Sequence, residues 1–584
     1  MAQEPHIHTR TIPELFKYFV EILGPESNFY ALAIIYGVGI SLLSLGTPIS
    51  VQMLINTVAN TGLATPLVVL TLSLFVLLLM SGLLQALRIH LMDLFGRRFY
   101  ARMVSDIALR TIYAQNPFFD DNRLAPLFNR YFDIIIVQKR LPVLFVGGFT
   151  IVLQAVVGII LVSFYHPYLL IFNLVVVFLV YMVWAIWGKR AIVSSMESSH
   201  KKHATAAWLE ELGNSNGFFK TSRHITDALH KTDEVTGSYI RRHIIHFRHH
   251  FSQTLCFLFI YASASASLLG LGGWLVIQNE LSLGQLVAAE LVLSVVFVGI
   301  SQLGTYLTYF YDLCAAVEEL SLFHDIDQDP PLPQQQPFTG DSSLRFASAK
   351  GESRGTQLTL NLEIPAGSRV LAATDNHAAQ RIFTDFLKSH RSPEGGYIAI
   401  GGQDFKSFQN FQLRHEIIVL DRPSIIECTI REYLHFSSQD ETGEDILGVL
   451  KAVGLEPVLA QLADGIDTLV APTGWPLSIT ETMQLKFAAA IIAQPRVLVL
   501  SQLFDVMPDL SMLAALEYLQ RKTDTTVIYF SNGHTDLRFD SYLYLGLQQQ
   551  TLFSDYGQLC EAAGLPLQPL TPVAERSPST EVSH

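Results

Sequence analysis

Six apolar stretches, each long enough to cross a lipid bilayer as a helix, constrain this chain more than any other feature. They run over 29–52, 66–87, 141–163, 167–187, 252–277 and 284–310. Roughly 20 apolar residues span the ~30 Å hydrocarbon layer as a helix. No open sheet satisfies its backbone polar groups there. A hydrophobic content of 50% and a mean hydropathy of +0.32 agree with a membrane portion. The charged residues, 16% of the chain, must then gather elsewhere.

They gather on one side. The connections ANTGLATP, SFYHPY and IQNELSLG carry no Lys or Arg, whereas the segments around Arg97 to Arg140 and Lys189 to Arg248 are rich in both. The positive-inside bias predicts that both termini lie in the cytoplasm, with an inner (cytoplasmic) membrane location. The polar start, with Glu4, Arg10 and Lys17 ahead of the first span, excludes a cleaved secretory signal. Cys256, Cys314, Cys428 and Cys560 are far apart without CxxC spacing, which reads as free thiols rather than a disulfide framework or zinc site.

The two basic segments show helical periodicity and predict helices that continue beyond the bilayer. QNPFFDDNRLAPLFNRYFD interrupts the first; its turn and Phe118, Phe119 and Asp120 form a candidate coupling element for a docked domain. YASASAS at Tyr261 to Ser267 offers small residues for close helix packing. His243, His246, His249 and His250 have near-helical spacing that could bind metal. A basic and aromatic belt at the inner membrane face accounts for them, and no metal is expected. Glu290 and Gln302 are candidates for a membrane pathway. An interfacial position for Glu290, and helix-to-helix hydrogen bonding for Gln302, stay open.

After the spans, DIDQDPPLPQQQPFTG is a Pro- and Gln-rich linker. Strand-like and helix-like runs then alternate, from TLNLEIP and RVLAATD through EIIVLD to RVLVLS and TTVIYFS, predicting an α/β domain with a largely parallel sheet. The resulting division is a 1–26 N-terminal segment, a 27–324 six-helix all-α membrane domain, a 325–342 linker, a 343–562 α/β domain and a 563–584 tail of disordered composition.

This order of elements resembles a half-transporter of the ATP-binding-cassette (ABC) exporter class. ELSLGQLVAAELVL, SPEGGYIAIGGQDF, CTIREYL and DGIDTLVAPTGWPLS resemble local stretches of that family, and the resemblance covers about 12–560. Exporters of type I secretion systems are the most similar group, although no N-terminal peptidase-like domain is expected. The resemblance implies a P-loop-like nucleotide-binding domain, and each of its functional positions can be compared.

In the family a loop GxxxxGK[ST] offers backbone amides to phosphates, its Lys to the β/γ-phosphates and its hydroxyl to Mg²⁺. Here the place reads TDNHAAQRI: Thr374 and Ala379 stand at the glycines, Gln380 at the Lys and Arg381 at the hydroxyl. A β-carbon penalises left-handed backbone by ~1–2 kcal/mol, and each lost charge-assisted contact is worth ~1.5–3 kcal/mol. Arg381 standing in for the Lys from one position later is the counter-reading. Asp421 replaces the Gln that senses Mg²⁺ and water, Ser501 and Gln502 replace the Mg²⁺-holding Asp and the catalytic Glu, and Asn532 replaces the switch His, with His534 two residues on. The signature LSGGQ reads LSITE, so Ser478 is kept while Ile479, Thr480 and Glu481 follow; Ser478 and Glu481 also have capping-box spacing.

The expectation is a degenerate nucleotide-binding domain with no catalytic residues, no ATP or Mg²⁺ cofactor and no ATPase activity of its own. Three functions follow from the resemblance: a non-hydrolysing subunit of an export complex, a non-transporting scaffold or regulator, or an ordinary ATP-driven exporter, which the substitutions disfavour. The implied partners are membrane lipid, a second copy of this chain or a heterodimer mate with an active ATPase, and a periplasmic adaptor; no nucleic acid is expected.

Overall fold

The structure, a computed structural model, describes residues 10–60, 64–116, 119, 124–330, 337–353, 355–438, 446–532 and 539–564. The chain divides into two compact units, one ending at Gln328 and the other beginning at Asp329.

Among its described residues, the first unit has six helices apolar and long enough to cross a membrane: Ile12–Ile55, Leu67–Ile112, Ala125–Ser163, Pro167–Asn214, Ser222–Ile277 and Leu283–Asp325. The helices are not limited to bilayer thickness. Pro167–Asn214 has 48 residues and Ser222–Ile277 has 56, about 70 and 80 Å at 1.5 Å per residue. The last span is central, with half of its most apolar window buried inside the chain, whereas none of that window is buried in Leu67–Ile112.

Close approach is set by glycines. A Cβ on Gly299 would stand 2.4 Å from Ile151 Cγ2, and one on Gly304 would stand 2.4 Å from Thr254 Oγ1. The small-residue stretch YASASAS differs from its expected role: Ala264 is buried, but Ala262, Ser263, Ala266 and Ser267 are exposed within the chain.

The second unit is built on a six-stranded sheet in the order Gln550–Phe553, Ser541–Leu545, Arg369–Ala373, Thr526–Phe530, Val497–Leu500, Ile417–Leu420. All neighbours are parallel except the first pair. A second, antiparallel sheet contains Leu344–Ser353, Thr356–Ile364, Gly395–Ile400 and Gln403–Asp404. The strand Val497–Leu500 shows why an unbroken VLVL run forms here. Side chains alternate across a strand, so Leu498 and Leu500 enter one apolar core and Val497 and Val499 the other. All four are buried, each worth ~1.5–3 kcal/mol relative to exposure.

Candidate functional site

Parallel strands that run side by side deliver their carboxyl ends to one edge, where α/β sheets bind ligands. Thr374, Asp421, Ser501 and Ser531 each follow the last residue of one of these strands. The geometry at this edge shows what the residues there bond to.

The segment after Arg369–Ala373 is not an open loop. Three residues, Thr374 to Asn376, lead directly into helix His377–Leu387. Thr374 Oγ1 lies 2.8 Å from the Leu545 carbonyl and accepts the Asn376 N–H at 3.1 Å. Asn376 Oδ1 caps the helix by accepting the Ala378 N–H at 2.8 Å, and the Asn376 carbonyl accepts the N–H groups of Ala379 and Gln380 at 3.0 and 3.4 Å. The amides of Asn376, Ala378, Ala379 and Gln380 are thus engaged within the chain. The left-handed strain expected at Thr374 and Ala379 does not arise, since neither has positive φ. The helix begins at His377, and Ala379 is fully buried within its first turn.

Gln380 and Gln502 form a reciprocal amide pair, Nε2 of Gln380 to Oε1 of Gln502 at 2.9 Å and the reverse at 2.8 Å. Arg381 Nε is 3.8 Å from Asp385 Oδ2, one helical turn on. Buried Ser501 caps the short turn Gln502–Val506 by accepting the Leu503 N–H at 3.4 Å.

Asp421 pairs with Lys388, which is buried. His390, two residues on, is pushed down to about 4 by burial, with the Lys388 and Arg414 cations adding to the effect. Lys486 donates to the carbonyls of Arg422 at 2.6 Å and Ser424 at 2.8 Å, and burial pushes its ammonium down to about 8. Neither Lys388 nor Lys486 was singled out by motif. Lys388 is the C-cap of helix His377–Leu387 and Lys486 lies within helix Ile479–Ala493, positions that say nothing of the partner.

A further carboxylate, Asp505, holds the segment that follows strand Thr526–Phe530. It accepts from Ser531 Oγ at 2.8 Å, from the Asn532 N–H at 2.9 Å and from the Tyr529 hydroxyl. Burial and this carboxylate push the Tyr529 phenol up. His534 lies outside the described residues.

The helix Ile479–Ala493 starts at a closed capping box. The Ser478 N–H donates to Glu481 Oε2 at 2.7 Å, and the Glu481 N–H donates to Ser478 Oγ at 3.3 Å. A carboxylate therefore occupies the positive end of the helix dipole, where an anion would bind. Thr480 Oγ1 donates to the Val506 carbonyl at 3.3 Å, and Ile479 is 68% exposed.

In the first unit, Phe119 packs edge-on to Phe128 at 5.4 Å; Phe118 and Asp120 lie outside the described residues. Glu290 is half-buried, and its Oε2 is buried without a hydrogen-bond partner. Gln302 is exposed within the chain, so the hydrogen bond expected between helices does not form inside this chain. Arg88, one residue past the expected end of the second span, is fully buried. It donates to Thr150 Oγ1 at 2.6 Å and to the Val146 carbonyl at 2.9 Å. His246 is buried beside Ser194 at 3.2 Å, and His250 is half-buried beside Thr308, so these two leave the expected surface belt.

Comparison with known proteins places these features. The ABC transporter transmembrane region matches residues 30–214. An uncharacterized ABC transporter ATP-binding protein of Bacillus subtilis, YknU, is 26% identical over 280 residues, covering 46% of this chain and 48% of that protein. The chain thus matches about half the length of that relative. The ABC multidrug transporter mdr2 of Aspergillus fumigatus is 25% identical over 567 residues, covering 90% of this chain and 68% of that protein. A bacterial Atm1-family ABC exporter solved with ATP bound superposes with a TM-score of 0.77 at 17% identity, covering 92% of this chain and 97% of that one. Six apolar helices followed by an α/β nucleotide-binding-domain fold give this chain the fold of an ABC exporter.

Proposed function

We propose that this chain is a non-hydrolysing half-transporter, a subunit of a type I secretion-like export complex in the inner membrane with both termini cytoplasmic. The observation that carries this reading is the Gln380 to Gln502 pair. The two positions that in an active cassette supply the phosphate-binding cation and the catalytic carboxylate are here neutral amides satisfied by each other. The residues do not fit Mg²⁺-ATP: the loop amides are engaged, and Ser501 faces its own backbone. ATP binding is weak or absent, and any energy for transport comes from a dimer partner with an intact cassette, with a periplasmic adaptor as a further partner.

A second reading is favoured by the Ser478 to Glu481 box. A partner's ATP would meet a helix start that is already capped and carries a carboxylate, which suits a non-transporting scaffold. Purified full-length protein in nanodiscs tests the shared claim: neither ATP turnover nor ATP binding is expected, and turnover abolished by Gln380→Ala would overturn it. Isolation of the native complex separates the two readings. An intact cassette subunit in stoichiometric amount supports the first, and its absence supports the scaffold.

A further inference from the structure

Beyond the sheet edge, the first unit contains a buried cluster that the transport reading does not use. Helix Pro167–Asn214 supplies His200 and His203, and helix Leu283–Ser321 supplies Glu318 and Glu319. Asp133 and Arg130 come from Asp133–Val143 and the preceding turn Ala125–Phe132. His200 lies about 50 Å along its helix from Pro167 at 1.5 Å per residue. That is beyond the ~30 Å hydrocarbon layer that the start of the helix crosses.

We propose that His200, Glu318 and Glu319 form a site for a divalent cation of the zinc type. One donor atom from each lies within 4.8 Å of the others. His200 Nε2 is 2.6 Å from Glu318 Oε2 and 3.9 Å from Glu319 Oε1. Zinc bonds to N and O donors of ~2.0–2.2 Å hold tetrahedral ligand atoms roughly 3.5 Å apart. Zinc would take the place of the proton shared by His200 Nε2 and Glu318 Oε2, which is released to solvent as the Glu318 carboxylate rotates.

An independent observation points to a ligand. Glu318 and Glu319 are both 0% exposed, and Oε1 of each is buried with no hydrogen-bond partner. A buried acceptor without a partner costs ~1–3 kcal/mol, more when charged, and here two stand on adjacent residues of one helix. The other oxygens are used: Arg130 Nε holds Glu319 Oε2 at 2.5 Å, and Glu318 Oε2 faces His200. His203 is anchored to Asp133 at 2.6 Å, and Lys202 to the same carboxylate at 3.1 Å. Of these, Arg130 touches a proposed ligand directly, and metal sites orient their ligands through such outer partners.

The charges agree. With neutral imidazoles, three carboxylates, Asp133, Glu318 and Glu319, face two cations, Arg130 and Lys202, while Arg10 is paired with Asp325. One divalent ion adds the same charge as protonating both histidines. Imidazole with carboxylate oxygens is a donor set that zinc accepts, and the ion would clip two long helices together outside the bilayer.

The test uses the full chain in detergent, stripped with a chelator and titrated with ZnCl₂. Bound metal is counted by mass spectrometry, and Co²⁺ serves as a visible-absorption probe. One zinc per chain is expected, with a rise in melting temperature. His200→Gln, which can still donate to Glu318, and Glu318→Gln should each weaken binding at least tenfold. The pair His243→Gln and His249→Gln, on helix Ser222–Ile277, should leave it unchanged. No zinc uptake by the wild-type chain, or uptake unaltered by both His200→Gln and Glu318→Gln, would overturn the site and leave an ordinary buried ion-pair network.

Discussion

Gln380 and Gln502, 122 residues apart, hold each other through two amide hydrogen bonds of 2.9 and 2.8 Å. Each amide supplies the donor and the acceptor that the other needs, and Gln380 is buried. A Lys and a Glu at these positions would make an ion pair in the same place. The pair as it stands ties helix His377–Leu387 to the end of strand Val497–Leu500 without charge.

This reciprocity predicts strong coupling. Gln380→Leu alone leaves the Gln502 amide without its partner, costing ~1–3 kcal/mol. The double variant with Gln502→Leu should lose less than the sum of the single changes, a coupling of ~0.5–3 kcal/mol. Denaturation of the four proteins measures it. Strict additivity would mean that the pair contributes shape alone.

Adding charge should not produce catalysis. Gln380→Lys combined with Gln502→Glu supplies two of the expected groups, but the Ala378, Ala379 and Gln380 amides stay engaged by Asn376. ATP turnover by this double variant should stay at background. Measurable turnover would show that the turn at Thr374 to Asn376 opens readily.

The helix start at Ser478 should behave as a structural cap. Ser478→Ala removes the acceptor for the Glu481 N–H and should destabilise the protein by ~0.5–2 kcal/mol. Ser478→Asp should retain most of the stability. Thermal melting of the full chain distinguishes them, and equal melting for wild type and Ser478→Ala would count against the cap.

His390 introduces a pH dependence. Its folded value of about 4 lies below the ordinary 6.5, so the unfolded chain binds a proton between these values that the folded chain does not. The stability contribution is complete above pH 6.5 and is lost as pH falls toward 4. His390→Gln should flatten the melting-temperature profile in that window. An unchanged slope would assign it to other groups.

Arg88 depends on Thr150. The guanidinium is fully buried, and its contact with Thr150 Oγ1 is 2.6 Å. Thr150→Val should cost ~1–3 kcal/mol in detergent melting, whereas Thr150→Ser should be nearly neutral. If Val is as stable as Thr, the Val146 carbonyl suffices for Arg88.

The sequence by itself determined the six spans and the parallel α/β unit, because the period and length of apolar runs follow from burial that each element needs wherever it packs. It also showed other residues at the sheet-edge positions where the resemblance places Lys, Asp, Glu and glycines, because motif spacing is local. Only the tertiary structure decided what those residues bond to. Gln380 meets Gln502, Lys388 meets Asp421, and His200 meets Glu318 across 118 residues. Such partners are brought together by packing of elements whose relative placement no local pattern encodes. The same holds for Arg88, whose burial depends on a helix end that hydropathy alone puts at the membrane surface. The absent left-handed strain at Thr374 and Ala379 has a local cause: Asn376 caps the helix at His377, and Ala379 takes its place in the first turn.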